Sequence, residues 1–215
     1  MNELLNHLRD WKILPVIVLD DARHAAPLAR ALIDGGLPCA EITFRTSAAA
    51  EAIAAIAAAH PELHVGAGTV LTTQQAANAC DAGARFVVTP GYNPAVVDYC
   101  LERGMPVIPG VCTPSEIDGA LHRGLEVVKF FPAEAMGGVR FLEAVAAPYA
   151  HVRFVPTGGI TASNLVDYLA VPQVVACGGS WLAPRAWIAA GEFDRISEET
   201  RAAVRIAAAA KTKGE

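Results

Sequence analysis

No apolar run in these 215 residues approaches the ~20 needed to cross a bilayer, although the hydrophobic fraction, swollen by alanine, is 53%. No membrane-spanning helix is expected. The opening segment "MNELLNHLRDWK" carries acidic residues and lacks the apolar stretch of a secretion signal. It reads as a short amphipathic helix with Leu4, Leu5 and Leu8 inward, at the start of a cytoplasmic protein. The cysteines Cys39, Cys80, Cys100, Cys112 and Cys177 are odd in number and form no C-x-x-C pair, so reduced core thiols are expected rather than a disulfide framework. His60 and His64 flank a "PEL" turn with no Cys or acidic cluster at ligand spacing, so no structural metal is expected. The net charge of -5, with basic residues scattered along the chain, supplies no footprint for nucleic acid. Any phosphate site must therefore be local. No linker, charge block or change of composition divides the sequence, and residues 1–215 read as a single domain.

What is present is an alternation. Short runs rich in Val and Ile, "LPVIVL" (14–19), "CAEITF" (39–44), "LHVGAG" (63–68), "ARFVVT" (84–89), "MPVIPG" (105–110), "EVVKFF" (126–131), "VRFVPT" (152–157) and "VVACGG" (174–179), are separated by alanine-rich segments of helical period. Helix starts are marked by Thr72 with Gln75, Thr113 with Glu116, and Asn93 before Pro94; helix ends are marked by Gly35, Gly36, Pro61 and Gly104. Repeated β/α units predict a parallel sheet. Eight evenly spaced strands, with no G-x-G-x-x-G after the first, favour a TIM (β/α)8 barrel with an N-terminal helix over an open doubly wound sheet.

Lysine is scarce, with only Lys12, Lys129, Lys211 and Lys213 in the chain. Lys129 lies inside "EVVKFF", where an ammonium loses solvation unless a partner or a reaction requires it. Snorkelling to solvent or a structural ion pair is the plain alternative. Strand alternation puts Val127, Lys129 and Phe131 on one face, and in "AEITFRT" it puts Glu41, Thr43 and Arg45 on one face with Ile42 and Phe44 on the helical side. A structural salt bridge is the competing explanation for Glu41 and Arg45. Gly66 and Gly68 allow close approach in "VGAGTV", leaving Thr69 at the strand's C-terminal rim, where TIM barrels build their sites. A neutral buried amine can attack a ketone, and the resulting iminium is an electron sink for breaking a neighbouring carbon–carbon bond. Glu41 is placed to move the protons. The loops "PTGGIT" and "CGGSWL" follow strands seven and eight, where Gly158, Gly159 and Gly179 leave backbone N–H groups open to an anion and Thr161 or Ser180 can start a helix.

Taken in order, "PVIV", "EITFRT", "VGAGTVL", "TPGYNP", "PVIPGVCTPSE", "KFFPAE", "FVPTGGI" and "GGSWL" give the chain a resemblance, over nearly its whole length, to the bacterial 2-keto-3-deoxy-6-phosphogluconate (KDPG) aldolases, which also act on 4-hydroxy-2-oxoglutarate. The resemblance implies a class I aldolase in which Lys129 forms the Schiff base and Glu41 serves the proton transfers. It implies that Arg45 and Thr69 hold the pyruvyl carboxylate, Pro90 and Phe131 line the pocket, Thr157 contacts the sugar chain, and Gly158, Gly159, Gly179 and Ser180 bind the phosphate. The partners implied are a phosphorylated 2-keto acid, pyruvate and glyceraldehyde 3-phosphate, with no metal or organic cofactor and a homotrimeric assembly. Phe44 replaces a leucine and Met136 an asparagine of the family pattern. The alternatives are a 2-dehydro-3-deoxy-6-phosphogalactonate aldolase, which in this group lacks the threonine at 157, and a non-aldolase phosphosugar-binding barrel, which leaves Lys129 unexplained.

Overall fold

A computed structural model describes residues 2–210; Lys211 and Lys213 lie outside the described residues. Parallel strands and helices alternate along the chain. The strands are β1 (Ile13–Ile17), β2 (Cys39–Thr43), β3 (His64–Gly68), β4 (Val87–Val88), β5 (Val107–Ile108), β6 (Gly110–Val111), β7 (Val127–Phe130), β8 (Arg153–Pro156) and β9 (Cys177–Gly179). The helices are α1 (Asn2–Trp11), α2 (Ala25–Asp34), α3 (Ala49–Ala59), α4 (Thr73–Asp81), α5 (Pro94–Glu102), α6 (Pro114–Leu121), α7 (Gly138–Ala146), α8 (Leu165–Leu169), α9 (Arg185–Ala190) and α10 (Phe193–Ala209).

Six strands pair in the order β5-β4-β3-β2-β1-β9 and three in the order β6-β7-β8, all parallel. Isolated parallel bridges at Phe154 with Val174 and Thr157 with Gly178 link β8 to the β9 segment. The result is a curled parallel sheet wrapped by helices. All five residues of β2 are buried, as expected for a strand covered on both faces.

The expected strand "MPVIPG" is split in two, and the reason is Pro109. Proline has no N–H for the ladder. Its carbonyl still accepts from the Lys129 N–H at 2.8 Å. On the other side the buried Thr89 hydroxyl replaces the missing backbone link, accepting from the Gly110 N–H at 3.1 Å and donating to the Gly91 carbonyl at 2.7 Å. The two sheets meet at this break.

Helix caps follow the sequence signals. The Thr72 hydroxyl accepts from the Gln75 N–H at 3.1 Å, the Glu116 carboxylate accepts from the Thr113 N–H at 2.8 Å, and the Asn93 side chain accepts from the Ala95 N–H at 3.1 Å. Each satisfies an amide that a helix start leaves without a partner. α1 buries Leu4 and Leu8, with Leu5 half-buried, and its His7 ring lies 4.3 Å from that of His64 at the start of β3. This places α1 at the N-terminal ends of the strands, away from the expected site.

Packing separates the two faces of the sheet. Phe130 turns outward and stacks on Phe141 of α7 with centroids 5.9 Å apart. Phe86 is fully buried, and its ring occupies the space a side chain at Gly66 would need, 2.2 Å from an ideal Cβ there. Phe86→Ala removes this filling, and chemical denaturation should show a loss of about 3–5 kcal/mol.

Candidate active site

Lys129 on β7 and Glu41 on β2 belong to different sheets and meet across the interior of the curl. Lys129 Nζ donates to Glu41 Oε1 at 3.1 Å, with side-chain exposures of only 6% and 1%. Register explains the meeting. Lys129 is flanked by Gly110 and Val155, and Glu41 by Val16 and Gly66, so small or aliphatic neighbours leave the centre open to the two charged side chains. An ideal Cβ on Gly68 would stand 2.2 Å from Glu41 Oε1 and 2.5 Å from its Cγ. Glycine at 68 is what gives the carboxylate its place. The Phe131 ring centroid is 5.6 Å from Lys129 Nζ, within range of a cation–π contact.

The remaining expected residues gather at the C-terminal ends of these strands. Thr43 anchors the end of β2 by donating to the Ile17 carbonyl at 2.7 Å. Just beyond it, Arg45 is exposed and has no hydrogen-bond or ion-pair partner among the described residues. Thr69 follows β3 half-buried with φ of 53°, a left-handed conformation that is uncommon and strained for a β-branched residue. Pro90 follows β4, its carbonyl passing so close to Gly110 that a Cβ there would lie 2.3 Å away. Phe44 is half-buried against the core, and Met136 is exposed.

The loop after β8 has a defined backbone arrangement. The Thr157 carbonyl accepts from the Ala133 N–H at 2.8 Å, the Gly158 carbonyl from the Glu134 N–H at 3.0 Å, and the Gly159 carbonyl from Asn164 Nδ2 at 3.1 Å. In a trans peptide the N–H points opposite to the C=O. Three successive carbonyls are thus tied to the scaffold, and the N–H groups of Gly158, Gly159 and Ile160 face the other way without a protein acceptor among the described residues. Gly158 and Gly159 have φ of 101° and 83°, which other residues adopt only with strain. Successive amides presented in this way suit an anion.

Thr157 is buried, its hydroxyl donating to the Val155 carbonyl at 3.3 Å. At Gly179 the Trp181 ring occupies the side-chain position, 2.1 Å from an ideal Cβ, and Ser180 is exposed. Arg185, at the start of α9, pairs with Asp20 beyond β1, and its hydrogen bond holds the Asp20 carboxyl below the usual carboxylate range. One sequence expectation is corrected. Neither Thr161 nor Ser180 starts a helix, because α8 begins at Leu165 and α9 at Arg185. Thr161 instead spends its N–H on Asn164 Oδ1 at 2.8 Å, closing a turn. Asn164, Tyr168, Thr89 and the function of Glu134 escaped the sequence reading. Glu134 lies within "KFFPAE", but its local sequence does not reveal what it faces.

Comparison with known proteins bears directly on this arrangement. Residues 4–199 match the family described as KDPG and KHG aldolase. The chain belongs to this family. Among its relatives, a 2-dehydro-3-deoxy-phosphogluconate aldolase of Treponema pallidum is 53% identical over 92% of this chain and 94% of its own length. The KHG/KDPG aldolase of Escherichia coli K12 is 48% identical over 89% and 90% respectively. Among solved structures, the KDPG aldolase of Legionella pneumophila, with pyruvate captured as a covalent carbinolamine intermediate, is similar with a TM-score of 0.89 and 37% identity, covering 93% of this chain and 97% of that one.

The Lys129–Glu41 contact depends on the space left at Gly68. Gly68→Ala should displace the Glu41 carboxylate, lengthening its distance to Lys129 in a crystal structure of the variant. Turnover should fall by about 100-fold, the scale on which a displacement near 1 Å acts.

Proposed function

We propose that the protein is a class I aldolase that reversibly cleaves KDPG to pyruvate and glyceraldehyde 3-phosphate. The observation that carries this reading is the buried Lys129 amine 3.1 Å from the buried Glu41 carboxylate across the interior of the curled parallel sheet. The family relatives named for this reaction support it. The scaffold proposed is one (β/α)8-barrel domain in which β5 and β6 count as one interrupted strand, supported by the parallel bridges between β8 and the β9 segment.

The mechanism uses the chain's own groups. Transfer of the ammonium proton across the Lys129–Glu41 contact leaves a neutral amine and a protonated carboxyl. The amine attacks the C2 ketone, and the carbinolamine's hydroxyl takes the proton back from Glu41 and leaves as water, forming an iminium. Glu41, again ionised, removes the C4 hydroxyl proton as the C3–C4 bond breaks; its electron pair flows into the iminium and the aldehyde departs. Protonation of the enamine at C3 and hydrolysis of the iminium release pyruvate and restore Lys129. The iminium serves as electron sink, so the reaction calls for no metal or organic cofactor.

Arg45, exposed at the rim with no partner among the described residues, and Thr69 hold the pyruvyl carboxylate, a planar group suited to a guanidinium. Pro90 and Phe131 flank the pyruvyl unit, Thr157 meets the sugar chain, and the amides at Gly158 and Gly159, with Gly179 and Ser180, receive the phosphate. The double name of the Escherichia coli relative supports 4-hydroxy-2-oxoglutarate as a second substrate, cleaved to pyruvate and glyoxylate. Assembly as a homotrimer is proposed from the family resemblance, with Leu71, Leu101, Met136 and Val166 as exposed large apolar residues. A cytoplasmic setting is proposed from the five free cysteines.

Borohydride reduction in the presence of pyruvate should add one pyruvyl-derived mass to Lys129, located by peptide mass spectrometry. An unmodified Lys129, or an adduct that persists in Lys129→Ala, would sink the Schiff-base assignment. Removing the substrate's phosphate should lower kcat/KM by at least about 100-fold, because remote binding energy supports the chemical step. Equal efficiency on the two substrates would transfer the main activity to unphosphorylated 2-keto acids.

A further inference from the structure

The loop that presents the Gly158 and Gly159 amides is shaped by a side chain that follows the lysine strand. Glu134 acts on it in three ways. Its N–H holds the Gly158 carbonyl at 3.0 Å, so the Gly159 N–H is directed away. Its Cβ and Cγ fill the space beside Gly159, each 2.6 Å from where a Cβ at 159 would stand. Its carboxylate accepts a hydrogen bond from the Tyr168 hydroxyl.

Tyr168 is fully buried on α8, and its phenol pKa is pushed up by burial and then by the Glu134 carboxylate, so the hydroxyl remains a donor at neutral pH. Glu134 itself is exposed, and the Tyr168 hydroxyl is its only side-chain hydrogen-bond partner among the described residues. This pairing has an electrostatic consequence. A carboxylate freed near the loop is itself an anion, able to repel a phosphate carrying like charge.

We infer that Glu134 and Tyr168 are positioning residues for the phosphate end of the substrate: Glu134 shapes the glycine loop, and the Tyr168 hydroxyl restrains the carboxylate from competing with the phosphate. The inference rests on the reading of the Gly158–Gly159 loop as the phosphate site. The pair sets substrate preference apart from the Schiff base, because neither residue hydrogen-bonds to Lys129 or Glu41 among the described residues.

The test compares kcat and KM on KDPG and on 4-hydroxy-2-oxoglutarate for the wild type, Tyr168→Phe, Glu134→Gln and Glu134→Ala, with inorganic phosphate as competitive inhibitor. Tyr168→Phe removes one oxygen from a ring that otherwise stays packed. It should raise KM for KDPG and the inhibition constant of phosphate on the order of tenfold, with kcat/KM for the unphosphorylated substrate unchanged. Glu134→Ala should behave the same way, whereas Glu134→Gln, which keeps an acceptor for the phenol and has no charge, should remain near wild type. A wild-type preference for KDPG that persists unaltered in Tyr168→Phe and Glu134→Ala would overturn the inference alone. Equal losses on both substrates would overturn it too, by showing a general structural role. A wild type without preference for the phosphorylated substrate, and without inhibition by phosphate, would instead remove the phosphate reading beneath it.

Discussion

A buried lysine and a buried glutamate 3.1 Å apart set the terms for the rest of this protein. Removing two charges from water costs several kcal/mol each, and the attraction between them offsets that cost only when the geometry is good. Their position is governed by packing at a distance from the pair itself. Gly68 clears the space for the Glu41 carboxylate, Thr43 fixes the end of β2 on β1, and Pro109 accepts the Lys129 amide while interrupting the neighbouring strand. The interrupted strand is repaired by the Thr89 hydroxyl, a buried group whose two hydrogen bonds hold the chain near Pro90. The pair therefore depends on the sheet's curl, since Lys129 and Glu41 lie in different hydrogen-bonded sheets and meet across its interior.

The rim solves a different problem. The Lys129–Glu41 pair is buried, whereas the loop after β8 presents backbone donors. It does so by turning its carbonyls onto Ala133, Glu134 and Asn164, which leaves the N–H edges of three peptides without an acceptor among the described residues. Donors held in advance lose little conformational freedom when an anion arrives. Arg45 contrasts with this loop. It lies exposed just beyond β2, with no hydrogen-bond or ion-pair partner among the described residues.

Much of this was legible in the residues. Alternating runs predicted the parallel strands, caps at Thr72, Asn93 and Thr113 predicted helix starts, and the period of two placed Lys129 and Phe130 on opposite faces. The split at Pro109 was not foreseen, although proline's missing N–H was the available signal. The expectation of a helix starting at Thr161 or Ser180 failed: at Thr161 a turn closed by Asn164 precedes α8, and α9 begins only at Arg185. Glu134 and Tyr168 could not be paired from sequence, since 34 residues separate them and each looks ordinary in its own segment.

By itself the sequence determined which side chains sit on which face of each strand, because alternation along a strand and periodicity along a helix are local properties of the backbone. It determined that an amine would interrupt an apolar strand, and that glycines would open the loop after β8. Only the tertiary structure decided that Glu41, 88 residues away, is the partner of that amine, and that the glycine amides face outward from a scaffold of carbonyl contacts. The reason is physical: a face is set by a strand's own geometry, but a distance of 3.1 Å between two sheets depends on register, curl and the empty space left at Gly68.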